Sequence, residues 1–451
     1  MAHSKKPKSN NILSTVRHVL DSHIKPCSHF TVALSGGVDS VVLLDVFAIL
    51  SKEMAFTLSA VHVNHGISRH ATHWSRFCCD LCHHYGIPIH VAYLKLGKKK
   101  GESLEAVARR ERYRIFHSMQ SDHVVLAQHI DDQAETFMLQ LLRGAGIKGL
   151  SSMPLLRNQR TDDTPTILRP LLAITRDQIE AYAQQNQLRW IDDESNDNTL
   201  YDRNFLRHEI FPTLKQRYPS YPKVLHRASC HLAEAASLLD ELAELDRKNC
   251  FQSGRLEINC LRKLSFARAK NLLRYTLFQQ GMAPPNTRKL EEILRQILVA
   301  RSDSQCYVSF GNTEIRCFQG SVIVQPRKSL INSNHIYPWC GEKILILHDL
   351  EGTIRFIETE NQGIDPEKIH HAPAIVRLRK GGERFKPHCN RPHRSLKNLL
   401  QEATIPPWQR NKLPLLFCDE KLVWVPGIGI DCEFQVKSGK IGIVPVWDSN
   451  S

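Results

Sequence analysis

The chain has 451 residues, 42% of them hydrophobic and 24% charged. That is globular composition at a length suggesting about three domains, and it excludes a wholly disordered chain. Lysine and arginine number 60 against 46 acids, a formal net charge of +14 that favours an anionic partner, most simply nucleic acid.

No apolar run approaches the roughly 18 residues that a bilayer span needs. The basic start MAHSKKPKSNN has no apolar stretch behind it. Neither a membrane segment nor a secretory leader is therefore expected, and the expected location is cytoplasmic. The 13 irregularly spaced cysteines then read as reduced thiols. The cluster Cys78, Cys79, Cys82, His83 and His84 has one CxxC and no second pair. It reads as a buried helix face with a polar end rather than a zinc site.

In chain order, Phe30–Leu34 reads as a strand running into Ser-Gly-Gly, and Ser40–Leu50 as a helix. Phe56–Val63 is a strand, His70–Tyr85 a helix stopped by Gly86, and Ile87–Tyr93 a third strand. After the basic run Lys98–Lys100, Ser103 caps a helix reaching Gln120. His123–Ala127 is a strand, Asp131–Arg143 an amphipathic helix, and Ile167–Arg169 precedes a helix with a Thr175/Gln178 capping box. This alternation implies right-handed crossovers and a Rossmann-like parallel sheet, an α/β fold.

From about Tyr221 the pattern becomes helical, over Val224–Cys250, Ala267–Gln280 and Thr287–Val299. Three β runs follow at Gln305–Phe310, Thr313–Phe318 and Val322–Val324, separated by Gly-Asn and Gly-Ser. The expected organisation is a catalytic α/β domain over 1–220, a mainly helical domain with β-hairpins over 221–328, a linker over 329–372, and a small C-terminal β-rich α+β domain over 373–451.

The strongest chemical signal is Ser35-Gly36-Gly37-Val38-Asp39-Ser40 between a strand and a helix. Ligands bind at the carboxyl ends of parallel strands. The glycines permit close backbone approach, and successive N–H groups with the helix N-terminus suit phosphate. The Ser35 and Ser40 hydroxyls are further donors. Asp39 repels phosphate directly, so it is expected to hold a bridging Mg²⁺. No GxxxxGK[ST] Walker sequence occurs. Gly144–Gly149 matches GxGxxG but follows a helix, so it reads as a glycine-rich loop beside the site rather than a dinucleotide fingerprint.

His129, Asp132 and Glu135 recur every three residues along one side of a helix start. Acids there suit Mg²⁺ or a cationic amine; acids also simply favour helix N-termini. Two arginine groups, Arg109 with Arg112 and Arg203 with Arg207 around Asn204, are candidate phosphate forks. His62 and Asn64 end the second strand, at the same edge of the sheet, and are candidate contacts to the ligand that carries this phosphate.

The hexapeptide resembles the PP-loop of the ATP pyrophosphatase family, which cleaves ATP between its α and β phosphates. Together with HVNHG (62–66), EAVARRERY (105–113), HIDDQAET (129–136), RGAGIKGL (143–150), RPLL (169–172) and RNFLR (203–207), it resembles bacterial tRNA(Ile)-lysidine synthases. So do LRKGGERFKP (378–387), the run 395–416 and VPGIGI (425–430). The middle region is matched only by position and helix content.

The resemblance implies a reaction. The wobble cytidine of a CAU-anticodon tRNA(Ile) is adenylated at its C2 oxygen, pyrophosphate leaves, and the L-lysine ε-amine displaces AMP. The product reads AUA instead of AUG. ATP, Mg²⁺, L-lysine and this tRNA are the implied ligands, with no membrane and no obligate protein partner. Asp132 and Glu135 are then candidates for binding lysine and taking its proton. Arg109, Arg112, Arg203 and Arg207 would stabilise the α-phosphate or seat the anticodon loop, with His129 and Asn204 lining the substrate site.

Residues 376–412 carry ten Lys/Arg against two acids. Arg379, Lys380, Arg384, Lys386, Arg391, Arg394 and Lys397, interleaved with Phe385 and Trp408, are expected to contact tRNA phosphates. Competing readings are a PP-loop tRNA thiolase, which would need cysteines beside the loop, and a non-catalytic RNA-binding protein.

Overall fold

The computed structural model describes residues 10–66, 68–94, 104–157, 164–192, 198–252, 254–300, 306–327, 335–369 and 372–449. The Lys98–Lys100 run, the Ser103 cap and Gln305 lie outside these residues. The chain divides into two compact units, Met1–Leu242 and Ala243–Ser451.

The first unit is built on strands β1 (His29–Ala33), β2 (Thr57–Asn64), β3 (Ile89–Tyr93), β4 (His123–Val125), β5 (Leu156–Arg157) and β6 (Thr166–Leu168), in the order β3-β2-β1-β4-β6-β5. All neighbours are parallel except β5 with β6. The connecting helices are α1 (Asn10–His23), α2 (Val38–Leu50), α3 (Ala71–Tyr85), α4 (Leu104–His117), α5 (Ile130–Leu142), the single turn α6 (Ile147–Leu150) and α7 (Arg176–Gln185). The single turn α8 (Asp202–Phe205), a π-helical turn at Leu206–Ile210, α9 (Phe211–Arg217) and the 30-residue α10 (Tyr221–Cys250) follow.

Helices cover both sheet faces, which is why the strands read as continuous apolar runs. One core joins α1, α2, α3 and α7 through Val16, Leu44, Cys78, Ile179 and Tyr182; the other seats Phe116 of α4 on Val61, Val124 and Ile167. α2 is buried almost all round, so its Asp45 needs partners, and the hydroxyls of Tyr85 and Tyr182 both donate to it at 2.7 Å.

The second unit takes in the end of α10 and continues with β7 (Phe251–Gln252), β8 (Arg255–Glu257), α11 (Ile258–Lys263), α12 (Phe266–Gln279), α13 (Thr287–Val299), β9 (Tyr307–Phe310), β10 (Thr313–Phe318) and β11 (Ser321–Pro326). The strands form one sheet, β7-β8-β11-β10-β9, with the three helices packed on it through Leu261, Leu273 and Ile293. The two strands before α11 carry no alternation long enough to read from sequence.

Next come β12 (Ile336–Trp339), β13 (Ile344–Leu347), β14 (Gly352–Glu360), α14 (Pro366–Ile369), β15 (Ala374–Arg377), β16 (Arg384–Phe385), β17 (Arg394–Ser395), α15 (Leu396–Glu402), α16 (Pro407–Arg410), β18 (Leu415–Cys418), β19 (Lys421–Val425), β20 (Gly429–Ile430) and β21 (Ile441–Ser449). They make the sheets β12-β15-β18-β19-β20 and β13-β14-β21, with β16 and β17 as a two-stranded ribbon. The linker expected over 329–372 is therefore corrected in its described part. β12 pairs with β15 and β14 pairs along its whole length with β21, so this stretch belongs to the C-terminal sheets.

The expectation of 13 reduced thiols is corrected too. Cys250–Cys260 and Cys389–Cys432 are disulfide-bonded, with Cα atoms 5.2 and 5.3 Å apart. Cys78 and Cys82 sit on the buried face of α3, and burial pushes both thiols up to about 12. No helix among the described residues is long and apolar enough to cross a membrane.

Candidate active site

Strand order reverses between β1 and β4, and there the crevice of a doubly wound sheet opens. The SGGVDS turn leaves β1 and the HIDDQAET segment leaves β4, so topology alone brings the two strongest motifs together. Gly36 has φ +93°, and a Cβ there would meet Ile191 Cδ1 at 3.2 Å and Cys78 Sγ at 3.4 Å. Only glycine fits both the backbone and the space.

The turn is braced from within. Ser40 Oγ, 4% exposed, accepts from the Ser35 and Gly36 N–H groups at 3.2 Å each and donates to Gly37 O at 2.9 Å. Ser40 therefore shapes the loop instead of offering a donor to phosphate, and two of the expected nest N–H groups point inward. What faces the crevice is the start of α2, at Val38 and Asp39, which no side chain caps. That is the feature of a helix N-terminus suited to an anion.

Asp39 and the α5 residues form one charge network. His129 Nε2 lies 3.7 Å from Asp39 Oδ1 and 3.5 Å from Asp132 Oδ2. Burial alone would push the imidazole down, but Asp132, Asp131 and Asp39 around it raise it to about 9. His129, 3% exposed, bridges two carboxylates that favour its protonated form. Its Nδ1 is 3.3 Å from the Asp131 N–H and 3.4 Å from Asp131 Oδ2. The Asp131 N–H donates to Nδ1, so the imidazole also caps the start of α5. Asp132 Oδ2 also accepts the His129 backbone N–H at 3.1 Å, so Asp132 caps α5 as well as facing the crevice.

Two arginines close the network. Arg176 Nη1 donates to Asp39 Oδ2 at 2.5 Å, and its backbone N–H donates to Asp131 Oδ2 at 2.9 Å. Arg207 Nη2 lies 2.7 Å from Glu135 Oε1, with its Nε at 2.8 Å. Asp39 Oδ1 and Glu135 Oε2 are buried without a hydrogen-bond partner. Burial pushes both carboxyls up, against the pull of His129 and Arg176 on Asp39 and of Arg207 and Arg203 on Glu135. Arg203 reaches the same place by donating to Thr136 Oγ1 at 2.9 Å.

Arg176 is the residue missed from sequence. The signal was present: a cation in the first turn of α7, at the positive end of the helix dipole, implies an anion nearby.

The remaining site candidates fall elsewhere. The His62 ring, 4% exposed, bonds Leu34 O at 2.8 Å. The Asn64 amide donates to Ala71 O and Ser75 Oγ and accepts from the Gly66 N–H. Both brace the end of β2. Arg112 bonds His65 at 3.2 and 3.1 Å, and Arg109 stacks 5.1 Å over Tyr113, so these two form a second group on α4. Asn204 donates to Asn198 O at 2.9 Å and pins the loop before α8. The Gly144–Gly149 loop follows the far end of α5, roughly 20 Å from His129 at the helical rise; it is not beside the site.

Three family models match this chain: PP-loop domain over residues 8–214, TilS substrate binding domain over 256–323, and TilS substrate C-terminal domain over 374–447. The tRNA(Ile)-lysidine synthase of Nitrosomonas europaea is 50% identical over 447 residues, covering 99% of this chain and 98% of that one. The chain belongs to the tRNA(Ile)-lysidine synthase family.

The family member of Coxiella burnetii is 39% identical over 421 residues, 92% of each chain. Among solved structures, the U34-tRNA thiolase NcsA from Methanococcus maripaludis with its [4Fe-4S] cluster matches at 21% identity and a TM-score of 0.44, over 50% of this chain and 79% of that one. A TILS C-terminal domain matches at 21% identity and a TM-score of 0.23, over 26% of this chain and 98% of that one.

In the part of the chain matching the family's C-terminal domain, the expected basic surface is only partly available. Phe385 is 0% exposed in a core with Leu396 and Phe417, and Trp408 packs edge-on against Phe318. Neither is a free stacking platform for a base. Arg379 lies 3.4 Å from Glu383, and Arg394 pairs with Glu402 at 2.8 Å. Arg384 donates to His393 O at 3.0 Å but stays exposed, as do Lys380, Arg391 and Lys397; Lys386 is half-buried. Lys380 and Arg384 border a cleft of about 510 Å³.

Proposed function

We propose that the chain makes lysidine: it joins L-lysine to C2 of the wobble cytidine of CAU-anticodon tRNA(Ile) through an adenylated tRNA, changing the codon read from AUG to AUA. The observation that carries this reading is the convergence of two kinds of half-satisfied carboxylate on one crevice. Asp39 beside an uncapped helix N-terminus suits ATP; Asp132 and Glu135 a few ångströms on suit an amine.

The uncapped start of α2, at Val38 and Asp39, seats the triphosphate, with Arg176 beside it through its pair with Asp39. Asp39 is the residue that would hold Mg²⁺. Its Oδ1 is buried with no hydrogen-bond partner, the His129 imidazole lying 3.7 Å away, and among the described residues no group of three or more His, Cys, Asp or Glu is arranged to hold a metal by itself. An ion there would take its other ligands from phosphate and water, as Mg²⁺ commonly does. When bound it offsets charge building on the pyrophosphate.

The amine must lose a proton before it can attack C2. Burial raises the proton affinity of Glu135, which suits it to accept that proton while Asp132, anchored by His129, orients the amine. Arg203 and Arg109 are assigned to the α-phosphate and the anticodon loop, and Lys380, Arg384, Arg391 and Lys397 to phosphates elsewhere on the tRNA. The surfaces at 256–323 and 374–447 then hold the substrate while the first unit does the chemistry.

The test is tRNA-dependent pyrophosphate release from ATP without lysine, with trapping of an adenylated tRNA. Release only with CAU tRNA(Ile), and AMP formation on adding lysine, is the expected result. Release that needs no tRNA, or an adenylate that lysine does not discharge, would contradict it.

A further inference from the structure

The Asp132–Glu135 pair already holds a cation, and it is the protein's own. Arg207 Nη2 is 2.7 Å from Glu135 Oε1 and 3.8 Å from Asp132 Oδ1. Glu135 is 1% exposed, whereas the Arg207 side chain is 40% exposed. The guanidinium therefore reaches in from the solvent side and closes over a carboxylate that is otherwise buried. Its remaining oxygen, Oε2, has no partner.

We propose that Arg207 is an internal stand-in for the substrate amine: its guanidinium fills the cation subsite made by Asp132 and Glu135, and lysine binds by displacing it. This rests on the reading of Asp132 and Glu135 as the lysine-binding pair.

Charge counting supports exchange over addition. Two carboxylates face this subsite, and Arg207 already lies against both. Adding an ammonium while Arg207 still pairs with Glu135 would put two cations on one carboxylate that is itself 1% exposed. Repulsion at these distances is strong where the dielectric is low. Exchanging one cation for another keeps the balance, and Glu135 is never left as a lone buried charge.

The backbone around Arg207 permits such a swing. The residue lies in the π-helical turn Leu206–Ile210, a rare geometry that often marks functional sites. Pro212, with no N–H, cannot complete an α-helical bond to the His208 carbonyl. On either side Leu206 and Phe211, 3% and 5% exposed, are anchored against Ala134 of α5. The segment is held, so displacement needs only rotation of a long side chain already half in solvent. The same packing keeps Arg207 in register with Glu135, so the arginine competes with every incoming amine and sets how much lysine is needed.

The experiment compares lysine dependence in the full-length protein and its Arg207→Ala variant. Removing an occupant present about nine-tenths of the time lowers the apparent KM for lysine about tenfold. Guanidinium ion should then compete with lysine in the variant far more strongly than in the wild type, because the vacated subsite fits it. An unchanged or higher KM for lysine, or no gain in guanidinium competition, would overturn the proposal and leave Arg207 as a fixed electrostatic group.

A measurement on the wild type guards against a variant that does not fold. Lysine should increase the rate at which phenylglyoxal modifies Arg207, read by peptide mass; an unchanged or lower rate overturns the proposal. Wild-type protein that forms no lysidine would overturn both this and the functional reading. Wild-type activity with either adverse Arg207 result would overturn this one alone.

Discussion

In the PP-loop unit, charged groups are braced against one another around the buried Glu135 and His129: Asp39 by Arg176, Glu135 by Arg207, and His129 between Asp39 and Asp132. In the C-terminal β-rich region, Lys380, Arg384, Arg391 and Lys397 stand in solvent, and the arginines that are less exposed are already paired with Glu383 and Glu402. The first arrangement fixes charge before a substrate arrives, which is what transition-state stabilisation needs. The second offers charges whose effect on a polyanion is summed and screened by salt. Substitutions in the first region should therefore act steeply and at one step, and those in the second gradually and additively.

The sharpest break comes at Asp39. Asp39→Asn should lower tRNA-dependent pyrophosphate release about 10²–10³-fold, the usual cost of losing a preorganised charge, with little loss of tRNA affinity in a filter-binding assay. Glu135→Gln should slow discharge of the adenylated tRNA by lysine about 10²-fold, a general-base effect, and pyrophosphate release much less; single-turnover assays of the two steps separate them.

Phe385→Ala tests the other side of the comparison. As a core residue it should cost about 3–5 kcal/mol in denaturant unfolding while the salt dependence of tRNA binding by the folded protein stays as before. Ser40→Ala strands two buried N–H groups in the loop and should raise the KM for ATP about tenfold. The smallest effect is expected for Lys380→Ala: a few-fold loss of tRNA affinity, with the slope of log K against log salt falling by about 0.7–0.9.

Much of the first unit was legible because strand runs, glycine stops and the two motifs each obey a local rule, and β1, α2, α3 and α7 fall within a few residues of their sequence-derived limits. The convergence of Asp39 with His129, Asp132 and Glu135 followed from sheet order. What stayed hidden depends on side-chain direction. Ser40 and Asn64 look like ligand donors in sequence, but both turn inward to brace loops. Phe385 lies within a basic run, yet the two-residue strand that turns Arg384 outward turns Phe385 into the core. The strands at 336–360 were missed because their partners, β15 and β21, come later in the chain, and a segment's pairing is invisible until its partner is placed.

The most direct test of the account is ATP-dependent incorporation of labelled lysine into unmodified CAU-anticodon tRNA(Ile), with tRNA(Met) as the control. The account predicts label on the isoleucine tRNA alone, stable to mild base that strips aminoacyl esters, and lost in Asp39→Asn. Label on both tRNAs, label removed by mild base, or no label despite binding of ATP and tRNA would contradict it, and the last result would turn attention to sulfur transfer.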